Sequence, residues 1–156
     1  MFSNIRKTLT AAALFAAVAV PAVGSQCYAD SSNRATVKTA FNKLNLNYDT
    51  IEGKIVIQKD GYIFIVNMND DKEQFSVVGI WRCAIPESKR QAMYKVINEL
   101  NTKYNLQYWL DSDGDLLVQI AFDTDDMSLS TKVVATTYQR VHLGLEQGKK
   151  IIEEAL

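Results

Sequence analysis

Residues that carry chemistry are scarce in this chain, which has one histidine and two cysteines among 156 residues. A structural zinc site takes about four ligands, mostly cysteine and histidine, and no such set is present at conventional spacing. His142 has no nucleophile or orienting acid in a recognisable motif. Gly-rich phosphate loops and nucleophile elbows are also missing. We therefore expect no catalytic residues, no metal and no cofactor.

Long apolar runs are equally few, and the one that stands out lies near the start. Leu9 to Val20 is alanine-rich and follows the basic pair Arg6 and Lys7. That order is typical of a secretory signal peptide, and the run is short of the ~20 residues that span a bilayer. We predict a signal peptide over residues 1–24, although cleavage could instead follow Ala29. The mature bacterial protein is then periplasmic or secreted, without membrane insertion.

The chain also lacks a large excess of positive or negative charge. Removal of Arg6 and Lys7 leaves 15 basic and 18 acidic side chains, a formal net charge of −3. Such a weakly acidic chain is a poor ligand for nucleic acid or an anionic membrane. Cys27 and Cys83 could form a disulfide after export, but cleavage after Ala29 would remove Cys27. We interpret Cys83, at the end of a strand, as a small buried hydrophobic residue.

The remainder, residues 30–156, has the pattern of a single α+β domain. Apolar residues at helical spacing predict three helices, and Asp60-Gly61 and Asp113-Gly114 predict two-residue hairpin turns. The order is helix, three strands, helix, two strands, helix. The predicted strands form a five-stranded antiparallel sheet and cover 48–59 (interrupted at Gly53), 62–68, 75–83, 107–110 and 116–122.

Hairpin register predicts that the sheet is apolar on both sides. A two-residue turn at Asp60-Gly61 places Lys59 opposite Tyr62, and a four-residue loop over 70–73 places Asn69 opposite Gln74. One side then carries the core that the helices cover. The side facing away from that core, which we call the second face, receives Val56, Ile63, Ile65, Val78 and Ile80. An apolar centre with a polar rim is the anatomy of a protein interface.

The second hairpin carries an acidic loop, Asp111 to Asp115. The alternating acids resemble a calcium loop, but the glycine falls two places early and Phe122 stands where the twelfth-position glutamate would be. We therefore predict an acidic hairpin turn. A two-residue turn here would place Trp109 opposite Val118, on the core side of the sheet.

Several short segments, in this order and spacing, resemble the YbjN-like family. They are Leu44-Asn45-Leu46-Asn47-Tyr48, Asp60-Gly61, Ile85-Pro86-Glu87, Ile97-Asn98-Glu99-Leu100-Asn101 and the stretch from Asp111 to Leu116. The resemblance covers Thr36 to Ala155 and implies the fold that this family shares with type III secretion chaperones. It also implies a tendency to dimerise and to bind other polypeptides, and it brings no catalytic residues.

These observations together favour an exported, non-catalytic module that binds proteins in a chaperone-like or regulatory role. The predicted partner is another protein or a second copy, held through the five residues of the second face. The alternative is a periplasmic factor of the envelope-stress type that binds a small ligand between sheet and helices.

Overall fold

The computed structural model describes residues 32–69, 74–124 and 129–156. The predicted signal peptide, both candidate cleavage sites, Cys27 and the loop over 70–73 lie outside these ranges. The elements, in chain order, are α1 (Ser32–Lys43), β1 (Tyr48–Ile51), β2 (Lys54–Lys59), β3 (Tyr62–Asn69), β4 (Gln74–Trp81), α2 (Glu87–Lys103), β5 (Gln107–Leu110), β6 (Leu116–Asp123) and α3 (Thr131–Ala155).

The sheet has six strands, so the prediction of five was wrong. Glu52 and Gly53 both have positive φ, 50° and 76°, which is the backbone of a tight two-residue turn. The turn reverses the chain, and Ile51 faces Lys54 across the β1–β2 pair. What the sequence indicated as one strand interrupted at Gly53 is therefore a hairpin.

All neighbouring strands are antiparallel, in the order β1-β2-β3-β4-β6-β5. The register predicted from the Asp60-Gly61 turn is confirmed, with Lys59 opposite Tyr62. The register across the β3–β4 connection is confirmed too, since Asn69 faces Gln74. Because side chains alternate along a strand, these pairings determine which side of the sheet each residue faces.

The three helices of the described residues pack on one side of this sheet and enclose the core. Phe41 of α1, Phe64 of β3 and Leu145 of α3 are fully buried in one cluster that contains residues of every helix. Burial of each such side chain contributes about 1.5–3 kcal/mol. Helix α3 crosses directly over β4, where a Cβ added to Gly79 would lie 2.8 Å from a methyl group of Val141.

The second hairpin has a loop one residue longer than predicted, and its register shifts accordingly. The Asp111 N–H donates to the Asp115 carbonyl and the Gly114 N–H to the Asp111 carbonyl, both at 3.1 Å. Gly114 has φ 83°, so the loop is a three-residue turn ending in a left-handed residue. Trp109 therefore faces Leu117, not Val118, and it lies on the second face.

Candidate interaction face

The second face carries two apolar rows that run across the strands. The longer row crosses β3, β4, β6 and β5 through Ile63, Ile80, Leu117 and Trp109. The shorter row crosses β2, β3 and β4 through Val56, Ile65 and Val78. The structure thus brings the five predicted residues together on one side of the sheet, and it adds Trp109 and Leu117 to them.

These side chains form an apolar cluster of their own, separate from the core. Ile65, Ile80 and Leu117 are 6%, 3% and 6% exposed, and Ile63, Val78 and Trp109 are partly buried against them. Val56 is 4% exposed. Within the described part of the chain, this cluster contains strand residues only, whereas the core cluster contains residues of all three helices.

Polar residues border both apolar rows. Gln58 stands beside Ile63 at one end of the longer row, and Gln119 stands beside Val78 at one end of the shorter row. The next row along the strands contains the pair Asn67 and Ser76. This arrangement of an apolar centre and a polar margin matches the anatomy of protein interfaces.

Sequence reasoning missed Trp109 because it assumed a two-residue turn at Asp113-Gly114. Leu117 was on the side away from the core in the predicted register as well, but it was not counted among the five residues. A one-residue error in a loop moves every side chain of a strand to the opposite face. The signal for the longer loop was present, since Asp at the first position and Gly at the fourth, as in Asp111 to Gly114, are typical of a type I turn.

One edge of the sheet is closed by a side chain. The Asn101 amide nitrogen donates to the Tyr108 carbonyl at 3.0 Å, and its oxygen accepts from the Tyr108 N–H at 2.7 Å. This pair reproduces the hydrogen bonds that a neighbouring strand would give to β5. Since unpaired edges invite further strands, Asn101 makes strand addition at the middle of β5 unfavourable.

The acidic loop uses its carboxylates to build the hairpin. Asp111 Oδ1 accepts from the N–H groups of Asp113 at 3.0 Å and Asp115 at 2.9 Å. Asp115 Oδ1 accepts from the Ala84 N–H at 2.9 Å. Burial raises the pKa of Asp115, and the Ala84 hydrogen bond partly opposes that shift. Across residues 32–69, 74–124 and 129–156, no group of three His, Cys, Asp or Glu side chains could hold a metal ion.

His142 and Cys83 occupy packed positions. The His142 Nε2 lies 3.6 Å from Asp60 Oδ2 and 3.8 Å from Glu146 Oε1, and its ring contacts Phe64 edge-on at 5.4 Å between centroids. The Cys83 thiol donates to the Gly114 carbonyl at 3.3 Å. Burial raises the pKa of that thiol, which favours the unreactive protonated form.

Two tyrosine hydroxyls are buried between the sheet and the helices. Neither Tyr108 nor Tyr138 has a hydrogen-bond partner for its oxygen in the described chain. Burial raises the pKa of each phenol to about 12.

None of the described helices is both long enough and apolar enough to cross a membrane.

The fold is an α+β sandwich that is similar to YbjN and to type III secretion chaperones. YbjN from E. coli superposes with a TM-score of 0.60 at 12% identity, over 76% of this chain and 88% of that one. SchA–HopA1, a chaperone–effector complex, gives 0.54 at 16% identity, over 81% and 99%. The Yersinia pestis type III secretion chaperone SycH, crystallised with a fragment of YscM2, gives 0.50 at 16% identity, over 75% and 97%.

Residues 33–140 match the model of the YbjN family, described as "Putative bacterial sensory transduction regulator". The match covers more than half of the chain, so the chain belongs to the YbjN family. The resemblance inferred from the short segments is thereby confirmed. A comparison with curated proteins finds no match.

Proposed function

We propose that this protein is an exported, non-catalytic module that self-associates through the second face and binds other polypeptides. The observation that carries the proposal is the apolar cluster built from strands alone, on the side of the sheet opposite all three described helices. An antiparallel sheet can leave one side to water when that side is polar. The two apolar rows here require a cover.

The size of the face supports a protein as that cover. The rows extend over β2, β3, β4, β6 and β5, about 19 Å at ~4.8 Å between neighbouring strands. Full burial of an aliphatic side chain contributes about 1.5–3 kcal/mol, and association costs about 4–15 kcal/mol. Val56, Ile65, Ile80 and Leu117 are already at most 6% exposed. The area that a partner would newly bury therefore comes mainly from the partly buried Ile63, Val78 and Trp109. Because Asn101 closes the β5 edge, a partner at this end of the sheet would bind to the second face and not add a strand to β5.

The similar chaperone complexes support a polypeptide partner. Two of the similar structures are complexes of a chaperone with a protein, SchA with HopA1 and SycH with a fragment of YscM2. The predicted export separates this protein from effector chaperones, because those hold their cargo before secretion. We therefore place its binding role outside the cytoplasm.

The alternative, a small ligand between sheet and helices, has one observation in its favour. The Tyr108 and Tyr138 hydroxyls face the interior without partners in the described residues, and a ligand with hydrogen-bonding groups would satisfy them. A thermal shift that is lost in the Tyr138→Phe protein would support this alternative, which remains a prediction.

Sedimentation velocity on the processed protein tests the proposal. We expect a dimer that Val78→Asp converts to monomer, because the substitution places a charge inside the apolar rows. The matched control is Tyr94→Asp on α2, where the side chain is 50% exposed, and this variant should remain dimeric. A wild-type protein that stays monomeric and binds no hydrophobic dye would overturn self-association.

A further inference from the structure

The two Asp-Gly pairs that form hairpin turns have the same sequence but opposite surroundings. In the β2–β3 turn, the Asp60 side chain is 57% exposed and Gly61 is exposed too. In the β5–β6 hairpin, Gly114 is buried. The side chain of an aspartate that precedes glycine is open to attack by the glycine nitrogen, because glycine has no Cβ to shield that nitrogen. The two pairs therefore differ in how readily they can react.

The backbone nitrogen of Gly61 is available for this attack. Lys59 and Tyr62 close the two-residue turn with their own hydrogen bonds. Among the described residues, no backbone carbonyl accepts from the Gly61 N–H. A Cβ built on Gly61 would have no neighbour within 4 Å. The turn thus has space to rotate and to bring the Gly61 nitrogen onto Cγ of Asp60.

The second pair is fixed by hydrogen bonds on both sides of its peptide bond. The Asp113 N–H donates to Asp111 Oδ1 at 3.0 Å, and the Gly114 N–H donates to the Asp111 carbonyl at 3.1 Å. The Gly114 carbonyl accepts from the Ile85 N–H at 2.9 Å. Ring closure at Asp113 requires these bonds to open first, and such local opening has a cost in free energy.

We propose that Asp60 is a site of spontaneous isoaspartate formation in the folded protein and that Asp113 is protected. The Gly61 nitrogen attacks Cγ of the protonated Asp60 carboxyl group. A C–N bond forms, the C–O bond breaks, and the hydroxyl leaves as water with the proton of the Gly61 N–H. A water molecule then opens the five-membered ring. Opening at Cγ restores aspartate, and opening at the main-chain carbonyl carbon gives isoaspartate.

The product changes the contact between this turn and α3. Asp60 Oδ2 lies 3.6 Å from Nε2 of His142. In isoaspartate the carboxylate is attached directly to Cα, and the backbone gains one atom because it runs through Cβ and Cγ. The carboxylate therefore withdraws from His142. The longer turn also loses the geometry that holds Lys59 opposite Tyr62.

Peptide mapping of aged protein tests the proposal. The purified protein is incubated for weeks under native conditions, then denatured and digested with endoproteinase Asp-N, which cleaves before aspartate but not before isoaspartate. We expect cleavage before Asp60 to fall with time while cleavage before Asp113 persists. Isomerisation of Asp60 should exceed that of Asp113 at least about tenfold, because the second site must open first. Persistent cleavage before Asp60, or equal losses at both sites, would overturn the proposal.

Incubation in concentrated urea is the control for the role of the fold. Both pairs are unfolded there, so they should isomerise at similar rates. If Asp60 outpaces Asp113 in urea as strongly as in the native protein, the selectivity comes from neighbouring sequence and the structural argument fails.

A matched pair of variants tests whether the folded turn can close the ring. Asn-Gly is a preferred pair for a two-residue turn, so Asp60→Asn keeps the hairpin, and its side chain forms the same ring with loss of ammonia. We expect mass spectrometry to show the amide of this variant converted to aspartate and isoaspartate under native conditions. Asp113→Asn is the control and should keep its amide. Equal lifetimes of the two amides would contradict the proposal.

Discussion

Substitution of Gly114 by alanine should destabilise the fold more than any other exchange of a turn glycine. Gly114 has φ 83°, a conformation that costs a residue with a Cβ about 1–2 kcal/mol. The new Cβ would also clash with the Ile85 carbonyl oxygen and lie 2.8 Å from the Ile85 nitrogen. These are backbone atoms, so the loop must move and lose the 2.9 Å hydrogen bond from the Ile85 N–H to the Gly114 carbonyl.

An unmade buried hydrogen bond costs about 1–3 kcal/mol, so we expect a total loss of about 2–5 kcal/mol from Gly114→Ala. The matched control is Gly53→Ala, with a similar φ of 76° but only Arg34 within reach, at 4.0 Å. It should lose about 1–2 kcal/mol from the backbone conformation alone. Urea unfolding followed by tryptophan fluorescence measures the free energy of unfolding of both variants. Equal losses in the two variants would refute the contact between this loop and Ile85.

Three further predictions concern the edge, the loop and the core. Asn101→Ala should cost about 2–3 kcal/mol in urea unfolding, since both Tyr108 backbone groups lose a partner; no loss would contradict edge closure. Asp115→Asn should stabilise the protein at neutral pH. The pKa of Asp115 is raised in the folded state, so the wild type loses stability as the pH rises from the unfolded-state pKa through the folded-state pKa. The asparagine cannot ionise, and its amide oxygen can still accept the hydrogen bond from the Ala84 N–H. Tyr138→Phe should be neutral or stabilising by about 1 kcal/mol. Because the folded pKa is about 12 against 10.0, wild-type stability should fall from pH 10 to 12, and less steeply in this variant.

The sequence was sufficient wherever the local signal was strong. Asp60-Gly61 is a preferred pair for a two-residue turn, and the β2–β3 register followed from it. The helical spacing of the apolar residues was equally clear, and the three predicted helices are present as α1, α2 and α3. These features depend on a few adjacent residues and on the period of the backbone.

The sequence was insufficient where a turn used an uncommon residue or a different loop length. Glu52 adopts positive φ, which is rare for glutamate, so the first hairpin was taken for a single strand. At the second hairpin, one extra loop residue moved Trp109 from the predicted core side to the second face. The five predicted residues of that face lie on strands whose registers were assigned correctly.

The most direct test of the central claim is the accessibility of Trp109 in the processed protein. Trp81 and Trp109 are the two tryptophans of the chain, so Trp81→Phe leaves Trp109 as the only indole that reports. If a second copy covers the second face, iodide quenching of Trp109 should fall as protein concentration rises through the dimerisation range, and Val78→Asp should restore it. Quenching that stays constant while dimers form, or a protein that forms no dimer, would contradict the account.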